Sequence, residues 1–188
     1  MRRGRILLLN GASSAGKTSV AQALATCLPT PWLVMPVDLF HSIRSRPPQG
    51  QLPEDEWQRV FQRTRSAYHR ALAGAGLVGC DVIGDHVLSE PWRLAELIDL
   101  TTGVDVLLVH VTCDLDELEQ RERHRRDRQP GTARAQAAVV FAHGDCDLEV
   151  DTTHASPADC AARIAELLAS PPADTAFERL RRGGRPRP

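Results

Sequence analysis

The sequence predicts an α/β fold: three layers, α/β/α, with about five parallel strands and an arginine-rich lid. Three observations predict it. Residues 6–10 form an apolar run of strand length that meets Gly11-x-x-x-x-Gly16-Lys17-Thr18, and an apolar-periodic helix follows. Farther on, apolar runs alternate with helical patterns, as in a parallel sheet covered on both faces. With 188 residues, 42% of them hydrophobic, the chain has the apolar content for one core of ordinary size.

Taken in order, Ile6–Asn10 is the first strand, and a helix from about Lys17 to Cys27 ends before Pro29 and Pro31. Residues 32–37 read as a weaker strand, interrupted by Pro36, with Asp38 at its carboxyl edge. After the loop 44–53, residues 54–73 carry Trp57, Val60, Phe61, Thr64, Ala67, Tyr68 and Ala71 along one side of a long helix. Residues 79–85 are a third strand, and Ser89-Glu90-Pro91 opens another helix. Residues 104–111, almost all aliphatic, suit a central parallel strand. Asp114-x-x-Glu117 reads as a capping box for a helix that runs into five arginines and His124 between Arg121 and Arg128. A helix at about 133–142, a short strand at 148–151 and a helix capped by Ser156-Pro157 and ending at Leu168 complete the domain. The domain is bounded at 1–169, with the lid at about 121–133 and an acceptor-binding segment at about 39–78. Residues 170–188, rich in Pro, Arg and Gly, are expected to be a disordered tail, at most with a helical stub at 177–181.

Composition narrows the function. A formal net charge of −1 gives no global field for nucleic acid or an anionic membrane. The five cysteines are scattered without CxxC spacing, which argues for reduced thiols in a cytoplasmic setting and against a cysteine metal site. No apolar run approaches a membrane span, and the N-terminus leads straight into the first strand with no signal-peptide pattern. Lys17 is the one lysine among 23 basic residues. A chain that otherwise uses arginine keeps a lysine where a compact point charge is needed.

The glycine loop carries the chemistry. Gly11 and Gly16 free the backbone to turn, and residues Gly11, Ser13, Ser14, Ala15, Gly16, Lys17, Thr18 and Ser19 are the expected phosphate-binding set. Lys17 would reach the β- and γ-phosphates of ATP or GTP, and Thr18 would hold Mg²⁺. Ligands of an open parallel sheet lie beyond the strand carboxyl ends, which singles out Asp38, Asp85, His86, Asp114 and the Asp151-Thr152-Thr153 turn. Asp38 is either the base that takes a proton from an acceptor hydroxyl or the N-cap of a short helix 39–43. Asp85 is a Mg²⁺ or acceptor ligand or a strand-end turn residue, and Asp114 is primarily a helix cap. The arginine segment is a water-excluding lid or a salt-bridged helix with Glu117, Glu119 and Glu122. Trp57, Phe61 and Tyr68 line an acceptor pocket or belong to the core. Spacing alone does not say which arginine acts in catalysis.

These residues make the chain resemble the chloramphenicol phosphotransferase family, P-loop kinases akin in fold to nucleoside monophosphate and shikimate kinases. The likeness runs from residue 6 to about 167. It comprises Asn10-Gly11-x-Ser-Ser-Ala-Gly-Lys17, Pro31-Trp32-Leu33 through Val37-Asp38, Cys113-Asp114, Arg121-Glu122-x-x-Arg125-x-Asp127-Arg128-x-x-Gly131-x-Ala133-x-x-Gln136, and Glu149-Val-Asp-Thr-Thr-His154-x-Ser156. The resemblance implies NTP-dependent phosphorylation of an antibiotic hydroxyl, conferring resistance. It implies Asp38 as base, and places Arg125 and Arg128 in the lid and the Thr152-Thr153 turn near the nucleotide base; Lys17, Arg125 and Arg128 are the expected catalytic companions of Asp38, and Arg121 is expected beside the nucleotide. Asp38, Phe40, His41, Trp57, Phe61, Asp85 and His86 are the expected acceptor residues, with Thr18 and Asp85 on the metal. The 39–84 stretch is shorter than in the chloramphenicol enzyme, and His86 stands where that enzyme has an aspartate. The acceptor is therefore open, a capuramycin-type nucleoside or a chloramphenicol-like compound. The partners expected are nucleotide and antibiotic, with no nucleic acid and no membrane, and a homo-oligomer is compatible with the sequence. A metabolic small-molecule kinase and a nucleotide-binding regulatory module are the alternatives on the same loop.

Overall fold

The computed structural model describes residues 2–45, 47–48, 52–124 and 131–183. Its five strands are β1 (Arg5–Asn10), β2 (Leu33–Pro36), β3 (Val82–His86), β4 (Asp105–Thr112) and β5 (Leu148–Asp151), all parallel, in the order β2-β3-β1-β4-β5. The helices are α1 (Lys17–Cys27), α2 (Val37–Ser42), α3 (Glu54–Leu77), α4 (Pro91–Leu100), α5 (Leu115–Arg123), α6 (Thr132–Ala137), α7 (Pro157–Ala169) and α8 (Ala176–Arg182).

The aliphatic runs are buried on both faces, so alternate residues serve two cores. Leu7 and Leu9 of β1 join Leu107, Val109 and Val111 of β4 against Val20 and Leu24 of α1 and Ile164 of α7. Ile6 and Leu8, with Val106 and Leu108, pack against Tyr68 and Leu72 of α3, Leu94 and Leu97 of α4 and Phe177 of α8. Each fully buried aliphatic side chain contributes roughly 1.5–3 kcal/mol. Those layers fix the one sheet edge where all strand carboxyl ends open together.

Several element bounds differ from the sequence expectation, each for a local reason. β2 ends at Pro36 and the chain turns directly into α2, so Asp38 is the second residue of that helix rather than its N-cap, a position held by Pro36. β3 starts at Val82 and reaches His86, because Asp81 turns outward to accept from the Arg5 backbone N–H at 2.8 Å. α3 continues through two glycines to Leu77, where Gly76 lies against Ile6 and Val104. Asp114 occupies the N-cap position of α5 without a side-chain cap bond; its own N–H donates to Thr153 Oγ1 at 2.7 Å. α6 stops at Ala137, short of the expected 142. The Ser156 cap is formed as a full capping box with Asp159.

The helical stub expected at 177–181 is present as α8, but it is docked on the domain rather than solvent-facing. α8 is capped by Thr175 and buries Ala176 and Phe177, the latter 1% exposed. Asp147 accepts from Ala176 N–H at 2.7 Å, and Arg179 pairs with Asp145 at 2.7 Å. Composition suggested solvent-facing chain, but Ala176, Phe177 and Leu180 pack into the core and Asp145 and Asp147 hold the segment. Residues 184–188 lie outside the described residues.

Candidate active site

The glycine loop leaves β1 and enters α1. Gly16, its last residue before the helix, has φ 80°, a left-handed conformation that glycine adopts without strain. A side chain at Gly11 would place its Cβ 2.4 Å from the Val111 carbonyl oxygen, so the loop turns tightly over β4. Ser14 also has positive φ, 64°. Gln136 of α6 braces the loop: its Oε1 accepts from Ser13 N–H at 2.7 Å. On the other flank, Thr152 Oγ1 lies 3.0 Å from the Ala15 carbonyl oxygen.

Two of the motif's side chains converge on β3. Thr18 Oγ1 donates to Asp85 Oδ2 at 2.7 Å, and Lys17 Nζ lies 3.7 Å from Asp85 Oδ1. Lys17 is buried and also donates to the Ala12 carbonyl at 2.8 Å, so its ammonium folds over the loop that it would share with a phosphate. A hydroxyl and a carboxylate side by side at a strand end are hard oxygen donors, the set a magnesium ion takes with phosphate oxygens. Thr18 and Asp85 therefore fit the expected cation.

One cleft of about 1680 Å³ joins this loop to the carboxyl edge of the sheet. Ser13, Ser14, Gly16, Lys17, Thr18, Ser19, Arg121 and Thr152 border its phosphate end. Asp38, His41, Trp57, Phe61, Asp85 and His86 border the other. Arg121 bonds the Thr152 carbonyl at 2.8 Å and Glu117 at 2.8 Å. The buried Glu122 carboxylate accepts from Gly131 N–H and Ala133 N–H, both at 2.7 Å, and so ties the end of α5 to the start of α6. Arg125 and Arg128, the expected catalytic arginines, lie outside the described residues.

Five expected residues are placed elsewhere. Phe40 turns away from the cleft and packs edge-on against Tyr68, with centroids 5.5 Å apart. Tyr68 is core, its hydroxyl 2.9 Å from the Met35 carbonyl oxygen. Thr153 serves the Asp151 turn and the Asp114 N–H rather than the cleft. Gly11 and Ala15 shape the loop from beneath without bordering the cleft.

Sequence reasoning missed Arg44, Arg65 and Arg93, and quoted Gln136 in the family motif without assigning it the loop contact. Arg65 was within reach: Trp57, Phe61 and Arg65 follow at i, i+4 and i+8 on α3. Arg93 carried no such signal, because the buried setting that makes it unusual is tertiary. A buried chain under the cleft was also missed. His69 Nδ1 lies 2.6 Å from Glu96 and His69 Nε2 lies 2.9 Å from His86 Nε2; with Glu96 ionised and both imidazoles neutral, His69 donates to Glu96 and accepts from His86 Nε2–H. His86 Nδ1 is then left buried, with no hydrogen-bond partner among the described residues. Burial holds His69 at a pKa of about 4 and His86 well below the ordinary imidazole value.

Comparison with known proteins gives the family and the fold. A family model described as chloramphenicol phosphotransferase-like protein matches residues 4–169. Two Mycobacterium tuberculosis proteins, provisionally named O-phosphotransferases, are each 31% identical over 202 residues, 97% of this chain and 90% of theirs. Among solved structures, the tunicamycin resistance protein of Deinococcus radiodurans aligns with TM-score 0.64 at 21% identity, over 90% of this chain and 100% of that one. The APS kinase of M. tuberculosis, in complex with AMPPNP and APS, aligns at 0.62 and 18%, with the same coverages. Shikimate kinase from Acinetobacter baumannii, in complex with shikimate, aligns at 0.61 and 16%, over 89% and 94%. These structures share the P-loop kinase fold. With a glycine loop, a Thr–Asp pair and the Asp38 carboxylate bordering one cleft, and a family match over residues 4–169, the chain belongs to the chloramphenicol phosphotransferase-like family.

Proposed function

We propose that the protein transfers the γ-phosphoryl group of ATP or GTP to a hydroxyl of a small molecule, an antibiotic, and thereby inactivates it. One observation carries this reading: Asp38 shares a single cleft with the phosphate loop and with the Thr18–Asp85 pair. A nucleotide switch needs no carboxylate facing the phosphates from the acceptor side. The family description, chloramphenicol phosphotransferase-like, supports an antibiotic as the acceptor.

In this mechanism the N–H groups at the start of α1, residues 16–19, and Lys17 hold the β- and γ-phosphates. Thr18 and Asp85 would hold Mg²⁺, whose charge favours the oxygens on which negative charge gathers. Asp38 takes the proton of the acceptor hydroxyl as its oxygen attacks the γ-phosphorus. The bond from that phosphorus to the β–γ bridging oxygen breaks, and the nucleoside diphosphate leaves. Arg121 stands at the phosphate end, and Arg125 and Arg128 follow it in sequence as the arginines that would offset equatorial charge. We place the reaction in the cytoplasm, where the nucleotide and the drug's target meet.

The test is incubation of the protein with Mg²⁺, ATP or GTP and a panel of hydroxyl-bearing antibiotics, read by mass spectrometry. The panel spans chloramphenicol, aminoglycosides, macrolides and uridine nucleosides. One compound gaining a phosphate and losing antibacterial activity is the expected result. Nucleotide hydrolysis with no acceptor phosphorylated, and unchanged by Asp38→Ala, would instead support a regulatory module.

A further inference from the structure

The acceptor end of the cleft is bordered by a lone pair that no donor meets. His86, the last residue of β3, is enclosed by its neighbours and borders the cleft. Its Nε2 lies 2.9 Å from His69 Nε2, and its Nδ1 is buried with no hydrogen-bond partner among the described residues. The Tyr68 ring packs edge-on against the imidazole, with centroids 5.3 Å apart, and holds it in place. Buried polar atoms are almost always hydrogen-bonded, and one left open has given up water for nothing.

Which His86 nitrogen is bare is decided two side chains away. Glu96 on α4 accepts from Ser66 Oγ at 2.5 Å and Arg70 Nη1 at 2.7 Å through Oε1, and from His69 Nδ1 at 2.6 Å through Oε2. Burial raises the Glu96 carboxyl, but the bonds from Ser66, Arg70 and His69 outweigh it and hold the group below its ordinary range. A carboxylate only accepts, so His69 carries its proton on Nδ1 and turns a lone pair to His86. His86 meets that lone pair with Nε2–H. Burial keeps both rings neutral, so each has one N–H, and His86 Nδ1 is left as an acceptor.

We infer that His86 Nδ1 receives a hydrogen bond from the acceptor molecule, which carries an O–H or N–H besides the hydroxyl that is phosphorylated. His69 and Glu96 are positioning residues that fix the polarity of this contact. A site that presents a lone pair takes a donor and rejects the methylated counterpart, because two acceptors then face each other. The inference rests on the reading that this end of the cleft receives the acceptor.

Glu96 stands outside the border of the cleft, yet Glu96→Gln should reverse the contact. Arg70 can only donate, so it keeps the amide oxygen at the Oε1 position and the NH₂ faces His69 Nδ1. His69 then carries its proton on Nε2 and donates to His86 Nε2. The His86 proton moves to Nδ1, and the acceptor at the cleft becomes a donor.

The test is nitrogen NMR of protein labelled at its histidine rings, with the loop filled by Mg²⁺ and a non-hydrolysable ATP analogue, during titration with phenol or with anisole, its methyl ether. In the parent, Nδ1 should be the bare nitrogen of His86, phenol should move its resonance, and phenol should bind about tenfold more tightly than anisole. In Glu96→Gln the bare nitrogen should be Nε2, and the preference should fall to about twofold or less. Asp38 would also favour phenol, so a preference that survives the reversal overturns the inference. So does a parent with its proton on Nδ1, a Glu96→Gln protein with Nδ1 still bare, or an Nδ1 resonance that phenol leaves in place, the sign of a site filled by water alone. If Glu96→Gln unfolds less cooperatively than the parent, the parent's own tautomer and its response to phenol decide. For a compound phosphorylated in the antibiotic panel, Glu96→Gln should raise KM about tenfold and move kcat far less. An unchanged KM refutes the His86 contact and leaves the phosphotransferase standing. A blank panel counts against the antibiotic reading, and the resonance and the phenol ratio then decide the His86 contact by themselves.

Discussion

Lys17, Thr18, Asp38 and Asp85 divide the proposed chemistry among them, and each division is measurable. Lys17→Ala removes the single ammonium above the loop. Turnover should fall by at least about 10²-fold, since no other lysine exists to replace it. Asp38→Asn keeps the size of the side chain and removes its basicity. As the base, it should lower kcat by roughly 10²–10⁴-fold with the nucleotide KM little changed. A near-parental rate in steady-state kinetics would remove Asp38 from the mechanism. Sequence reasoning found these four because the P-loop and the strand ends are local patterns. It expected Phe40 in the pocket as well, but Phe40 packs on Tyr68 instead. Adjacent residues on a one-and-a-half-turn helix point in different directions, and only the packing partner says which.

Among the elements, the join between α5 and α6 is held by one buried carboxylate. Glu122 accepts two backbone N–H bonds at 2.7 Å, from Gly131 and Ala133, across the segment that carries Arg125 and Arg128. Glu122→Ala should cost about 2–4 kcal/mol by urea unfolding, because two N–H groups lose a charged acceptor. It should also raise the nucleotide KM if the arginines between those anchors act on the phosphates. The sequence pattern showed Glu122 as one of three acids available for i±4 pairing on a helix surface. Its burial, 5% exposed, reverses that reading. The aromatic–arginine row Trp57, Phe61 and Arg65 is the opposite case, since helical spacing already lined it up before any fold was known.

For the molecule as a whole, buried imidazoles set the response to acid. Burial lowers His69 and His110 to about 4, and lowers His86 and His143 as well. In the unfolded chain each would take a proton below about pH 6.5. The unfolded state therefore binds more protons, and stability present above that pH is lost as it falls toward 4. His69 and His110 together should lower unfolding free energy by about 4 kcal/mol between pH 7.5 and pH 5. Urea midpoints at the two pH values check this, and an unchanged midpoint would mean that the imidazoles are not held neutral. The docked C-terminal helix is a second whole-molecule dependence. Phe177→Ala should cost about 3–5 kcal/mol, read as a lowered Tm, because its ring is fully enclosed in the core shared by α3, α4 and β4.

The chain's order alone specified the layered parallel sheet, the phosphate loop and the carboxylates at strand ends, because periodicity and motif spacing are short-range properties. Ser156 and Asp159 were readable in the same way, as an isolated capping box. The arginine cluster of the cleft was not readable, because Arg44, Arg65 and Arg93 come from segments up to 49 positions apart and meet only when α3 and α4 pack on one face. The histidine chain from His86 to Glu96 and the docking of α8 were hidden for the same reason. Burial decides whether a polar side chain is solvated or constrained, and burial is a property of the assembled layers.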